Sequence, residues 1–133
     1  MNIQAYLSFK GECQQALNFY KGILGGDVIN TETYEDKKID IPENYRSKLQ
    51  HAELKGRGFH FMAYDAAPDT PVTSGSAISM SVDVESHEKA KEIFNALSKG
   101  GKVNTPLQET SWNAIYGRCT DQYGIQWMVN YKK

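Results

Sequence analysis

Cysteine is scarce in this chain. Cys13 and Cys119 are its two thiols, and they lack C-x-x-C spacing. Two cysteines so placed build neither a disulfide framework nor a thiolate metal site. The expectation is that both stay reduced, in a cytoplasmic protein. Long hydrophobic runs are also missing: none approaches the roughly 20 apolar residues of a membrane-spanning helix. The opening Met1-Asn2-Ile3-Gln4-Ala5-Tyr6 carries no basic region and no extended apolar core, so no signal peptide is expected there. Charge of one sign is absent as well. Fifteen Lys and Arg against sixteen Asp and Glu leave a net charge of −1, and no basic cluster stands out. Neither nucleic acid nor a membrane surface is therefore an expected partner. The sequence contains no G-x-G-x-x-G, G-x-x-x-x-G-K-[ST], G-x-S-x-G or H-E-x-x-H, the patterns of dinucleotide cradles, P-loops, nucleophile elbows and zinc-protease helices.

What is present is an ordinary globular composition, 40% apolar and 23% charged over 133 residues, enough for one domain with a real core. Residues 3–9 read as a strand. Cys13, Ala16, Leu17, Tyr20, Ile23 and Leu24 recur at three- and four-residue steps, one apolar face of a helix that Gly25-Gly26 ends. Residues 27–34 read as a second strand. Residues 35–46, charged and holding Pro42, form a long loop of the kind that serves either as a lid or as plain solvated surface. Leu49 to Lys55 and Phe59 to Tyr64 make a hairpin about Gly56-Arg57-Gly58. A linker rich in Pro, Gly and small polar residues covers 66–76.

The order then repeats. Ala77 to Val84 alternates, with Ile78, Met80, Val82 and Val84 expected on one face. Ser86 is placed to cap a helix whose buried stripe is Ala90, Ile93, Phe94 and Leu97. Gly100-Gly101 ends it, and strands follow over Lys102–Leu107, Trp112–Thr120 and Ile125–Tyr131. The fold class is thus α+β: two βαβββ modules, about 1–65 and 77–133, expected to form a curved mixed sheet with a concave cleft. One helix per module covers one sheet face and leaves the other for a partner.

This pattern resembles the vicinal oxygen chelate superfamily of glyoxalases, bleomycin-resistance proteins and extradiol dioxygenases, and within it the PhnB-like branch. The matching stretches are Tyr6-Leu7-Ser8-Phe9, Ala16-Leu17-Asn18-Phe19-Tyr20, His51-Ala52-Glu53-Leu54, Pro106-Leu107-Gln108-Glu109-Thr110-Ser111-Trp112 and Asp121-Gln122-Tyr123-Gly124-Ile125-Gln126-Trp127. The resemblance implies a homodimer with a small-molecule site. Metal-dependent relatives place ligands at positions that fall here near Ala5, Glu53, Ala77 and Met128. Only Glu53 offers a hard donor, and a catalytic metal generally needs three or more protein ligands. No metal site and no cofactor are therefore expected. PhnB-like proteins often carry a methyltransferase label. No glycine-rich loop after a strand supports a methyl-donor site of the doubly wound kind.

His51 and Glu53, two apart on a strand, face the same way. They are the candidate acid/base pair, the plainer alternative being a polar pair on an exposed strand. The expected ligand-binding set is Tyr6, Trp112, Tyr116, Arg118, Gln126 and Met128. Arg118 would hold an anion through its forked donors, and its alternative is a surface arginine. His60 reads as a histidine on a wet or interface face, and His87 as an exposed residue of a helix's first turn. Trp127 reads as core. Glu109 reads as an exposed carboxylate unless aromatics bury it. Three functions stay open: a metal-free small-molecule-binding protein; a lyase, isomerase or dioxygenase using acid/base chemistry or an off-pattern metal at His51 and Glu53; or an interaction module whose concave face encloses no pocket.

Overall fold

The structure, a computed structural model, describes residues 1–36 and 40–133. It consists of two compact units, Met1–Thr73 and Ser74–Lys133. Each is a βαβββ module, and the α+β architecture expected from the sequence is what the chain forms.

The first unit contains β1 (Tyr6–Phe9), α1 (Cys13–Leu24), β2 (Asp27–Thr33), β3 (Leu49–Gly56) and β4 (Phe59–Asp65). Its sheet runs β1-β4-β3-β2, with β1 parallel to β4 and the other pairs antiparallel. Cys13, Ala16, Leu17 and Tyr20 of α1 are buried, as are Leu7, Phe9, Ala52, Leu54, Phe61 and Ala63 of the strands. Each large side chain so buried contributes roughly 1.5–3 kcal/mol. This core therefore decides which way every strand of the sheet faces.

The second unit repeats the plan with β5 (Met80–Asp83), α2 (His87–Ser98), β6 (Lys102–Glu109), β7 (Ala114–Thr120) and β8 (Gln126–Lys132), in the sheet order β5-β8-β7-β6. Ser86 caps α2 as its position predicts, its hydroxyl accepting from the Lys89 amide at 3.0 Å. Ala90, Ile93, Phe94 and Leu97 pack with Ile115, Cys119, Trp127 and Val129 in the core. The buried Trp127 donates from Nε1 to Asp121 Oδ2 at 2.8 Å.

Several boundaries differ from the sequence reading. The first strand begins at Tyr6 rather than residue 3, and Ile3 is exposed. β5 is confined to Met80–Asp83, and Ile78, expected on a buried face, is 83% exposed. Alternation alone does not bury a residue that has no neighbouring strand to pair with. β6 runs two residues further, to Glu109, through Pro106. It is an edge strand, where a missing N–H costs no ladder bond. Trp112 precedes β7 instead of starting it, because Asn113 adopts φ +61° and breaks the extended run.

The long loop after β2 contains two 3₁₀ turns, Tyr34–Asp36 and Glu43–Tyr45. Its residues 37–39 lie outside the described residues. The Tyr34 hydroxyl donates to the Asp65 carbonyl at 2.6 Å, and that of Tyr45 to the Ala66 carbonyl. Lys10 Nζ donates to the carbonyls of Ala67, Pro68 and Thr70 at 3.0, 2.7 and 2.6 Å, tying the end of β1 to the segment after β4.

Candidate functional site

Because α1 covers one face of the first sheet, the alternate residues stand on the open face: Tyr6 and Ser8 from β1, His51 and Glu53 from β3, and His60, Met62 and Tyr64 from β4. Register brings them together. Glu53 on β3 and Tyr6 on β1 are both partners of Met62 on the intervening β4. His60 lies opposite Lys55, on the diagonal to Glu53, close enough for long side chains to meet.

Glu53 is the hub. Its Oε2 accepts from His51 Nε2 at 2.8 Å and from Asn30 Nδ2 at 3.1 Å, and its Oε1 accepts from His60 Nε2 at 2.6 Å. The His51 hydrogen bond, followed by that of His60, holds the Glu53 carboxyl at a pKa of about 2, against the opposing effect of burial. An ionised carboxylate only accepts, so each imidazole presents an N–H at Nε2. In the neutral ring Nδ1 of His51 is the acceptor, and it lies 2.5 Å from the Tyr6 hydroxyl. The result is a continuous chain, Tyr6 O–H to His51 Nδ1 and His51 Nε2–H to Glu53. It has the logic of a hydroxyl, a base and a group that orients the base.

The Tyr6 ring is 46% exposed and packs edge-on against Tyr64, with centroids 5.2 Å apart. Tyr6, Ser8 and Tyr64 line a pocket of about 340 Å³. Burial, with Tyr64 adding to it, raises the Tyr6 phenol above its ordinary value, so the neutral hydroxyl is the resting form.

Tyr6, His51 and Glu53, all named from the sequence, thus meet on one face. His60 is on that open face as expected, and it is also bonded to Glu53. Asn30 and Tyr64 were not identified from the sequence. Asn30 reaches Glu53 because β2 shifts register between Ile29 and Glu32, and Asn30 itself sits at φ +53°. Such a bulge re-aims a side chain. Asparagine in a strand, tolerant of left-handed backbone, was the available signal.

The remaining expected residues belong to the second unit. Tyr116 and Arg118 are on the face of β7 opposite Ile115 and Cys119, and Gln126 and Met128 are on the face of β8 opposite Trp127 and Val129. Trp112, in the turn before β7, is 63% exposed, with its ring 6.4 Å from that of Tyr116. Glu109 is exposed and paired with Lys133, which lowers its carboxyl. His87 is exposed. Cys13 and Cys119 are buried, and burial pushes their thiols to about 12 and about 11, respectively.

The 3-demethylubiquinone-9 3-methyltransferase family matches residues 1–130. Protein YjdN of Escherichia coli (strain K12) is 31% identical over 143 residues, covering 100% of this chain and 97% of that protein. The crystal structure of protein PA1353 from Pseudomonas aeruginosa superposes with a TM-score of 0.89 at 36% identity, covering 99% of this chain and 98% of that one. A PhnB protein from Bacillus cereus gives a TM-score of 0.84 at 24% identity, over 98% and 99% of the two chains. A glyoxalase/bleomycin resistance protein from Albidiferax ferrireducens T118 shares the fold with a TM-score of 0.66 at 13% identity, over 99% and 100%. The chain belongs to the PhnB-like 3-demethylubiquinone-9 3-methyltransferase family, with the glyoxalase/bleomycin-resistance fold.

Proposed function

We propose that this chain is a metal-free small-molecule-binding protein whose ligand sits at Tyr6, Ser8 and Tyr64 and hydrogen-bonds to the Tyr6 hydroxyl. The observation that carries the reading is the Tyr6–His51–Glu53 chain, which ends at an exposed phenol on the rim of a pocket. An aromatic wall with one oriented polar group suits a largely apolar ligand with a single acceptor or donor.

The donor set argues against a divalent cation here. At the positions that hold metal in metal-dependent relatives, Ala5, Ala77 and Met128 supply no hard ligand. His51 and His60 approach separate oxygens of one carboxylate at 2.8 and 2.6 Å. Both oxygens of the Glu53 carboxylate are thus committed to hydrogen bonds. Among the described residues, no group of three or more His, Cys, Asp or Glu side chains has the arrangement of a metal-ion site.

The same chain of bonds favours a second reading, acid/base catalysis. A ligand proton taken by the Tyr6 oxygen would be matched by passage of the phenol's own proton to His51 Nδ1. The imidazolium so formed would be paired with Glu53, and the reverse transfer would return the proton. Homodimerisation and a cytoplasmic location belong to this proposal too. Sedimentation of the 15.0 kDa chain should give about twice that mass.

Elemental analysis and mass spectrometry of protein purified without chelators test the reading. The expected result is no stoichiometric metal, with a small molecule released from wild type and depleted in Tyr6→Phe. Stoichiometric zinc, iron or manganese that disappears in Glu53→Ala would overturn it. Turnover of the released molecule, lost in His51→Gln, would move the assignment from binder to enzyme.

A further inference from the structure

The open face of the second sheet holds a guanidinium whose buried Nε has no acceptor among the described residues. Arg118 is on β7, an inner strand flanked by β8 and β6. Its direct partners are Met128 on β8 and Thr105 on β6. Its Nε is buried and has no hydrogen-bond partner, and among the described residues no ion pair reaches Arg118. The polar groups around it are turned toward one another instead. Gln126 Nε2 donates to Thr120 Oγ1 at 2.8 Å, Thr120 Oγ1 donates to Asn104 Oδ1 at 2.9 Å, and Asn130 Nδ2 donates to Ser81 Oγ at 3.1 Å. Asp83, which stands opposite Asn130 on the edge strand β5, is exposed.

Burying an N–H without an acceptor is unfavourable, and the penalty vanishes once an acceptor arrives. The guanidinium's planar fork matches the paired oxygens of a carboxylate or phosphate. Two residues along the same face is Tyr116, and its ring meets that of the exposed Trp112. An exposed indole against Tyr116, with a cation two residues further along the same strand face, is a surface for a flat apolar body that carries negative charge.

We propose that Arg118 anchors an anion site on the second sheet, taking the oxyanion of a small planar molecule whose apolar body lies against Tyr116 and Trp112. The site is built from residues of the second unit, and it stands whatever the Tyr6 pocket binds.

The test is titration of the full chain with benzoate, phenyl phosphate and inorganic phosphate, followed by calorimetry and by tryptophan fluorescence. Trp127 is buried, which leaves Trp112 as the responsive reporter. Saturable binding of benzoate or phenyl phosphate, tighter than that of inorganic phosphate, is expected. Arg118→Gln should weaken it at least tenfold, and Trp112→Ala should weaken the aromatic probes while leaving inorganic phosphate unchanged. Arg118→Lys keeps the charge without the fork and guards against misfolding of the glutamine variant. Circular dichroism like wild type with binding weakened several-fold supports the site. Wild type that binds none of the three probes, or binding unaltered in both arginine variants, would overturn it.

Discussion

Glu53 and Arg118 occupy the same position in the two repeats. Glu53 lies opposite Met62 on β4 and Arg118 opposite Met128 on β8, and the parallel neighbours of those methionines are Tyr6 and Ser81. The equivalence extends along the strands. A Cβ on Gly26 would come within 2.7 Å of the Lys55 carbonyl oxygen, and one on Gly101 within 2.1 Å of that of Thr120. Lys55 and Thr120 each follow the equivalent residue by two. One backbone slot thus carries a carboxylate that accepts from three side chains and, in the other repeat, a guanidinium whose buried Nε has no partner. Fold symmetry is kept, and the chemistry is opposite in sign.

Glu53→Ala should destabilise the first unit. It strips His51, His60 and Asn30 of their shared acceptor, and a loss of about 1–3 kcal/mol is expected, since the Glu53 side chain is only 13% exposed. Denaturant unfolding measures it. An unchanged midpoint would show that the three donors find water at no cost.

Acid should act through the same group. Glu53 is held at about 2 in the folded chain, against about 4.3 for an unperturbed glutamate. The unfolded chain therefore takes up the proton first. The stability that this carboxylate contributes is complete above about pH 5 and is lost as pH falls toward 2. Unfolding midpoints at pH 7, 5, 4 and 3 should fall more steeply in wild type than in Glu53→Ala. Parallel curves for the two proteins would contradict the assignment.

Two glycines should respond in opposite directions to alanine. Gly101→Ala places a methyl group against backbone that cannot move aside, and a loss of about 1–3 kcal/mol is expected. Gly22 lies within α1 with nothing near its missing Cβ. There alanine should add about 0.5–1 kcal/mol through helix propensity alone. Thermal melts of the two variants give the signs directly.

Asp121→Ala should be among the more damaging single changes. The carboxylate is 3% exposed and accepts from the Tyr123 and Ile125 amides at 2.8 and 3.1 Å and from the Trp127 indole at 2.8 Å. Each abandoned donor costs about 1–3 kcal/mol, so a loss of at least about 3 kcal/mol is expected. A red shift of Trp127 emission should accompany it, and a variant as stable as wild type would refute the role.

The sequence by itself determined the two βαβββ modules, their helix stripes, the Gly-Gly stops and the shared face of His51 and Glu53. All of these are local periodicities, set by 3.6 residues per helical turn and two per strand. Tertiary structure decided everything that depends on register between strands. His60 meets Glu53 through a diagonal pairing across a hairpin, Tyr6 reaches His51 from two strands away, and Asn30 arrives through a bulge that no alternation pattern encodes. Trp112 left its strand because one asparagine turned left-handed. Periodicity names the face a side chain points to. Which neighbours await it there is settled by contacts between residues far apart in the chain, and those form only when the whole sheet assembles.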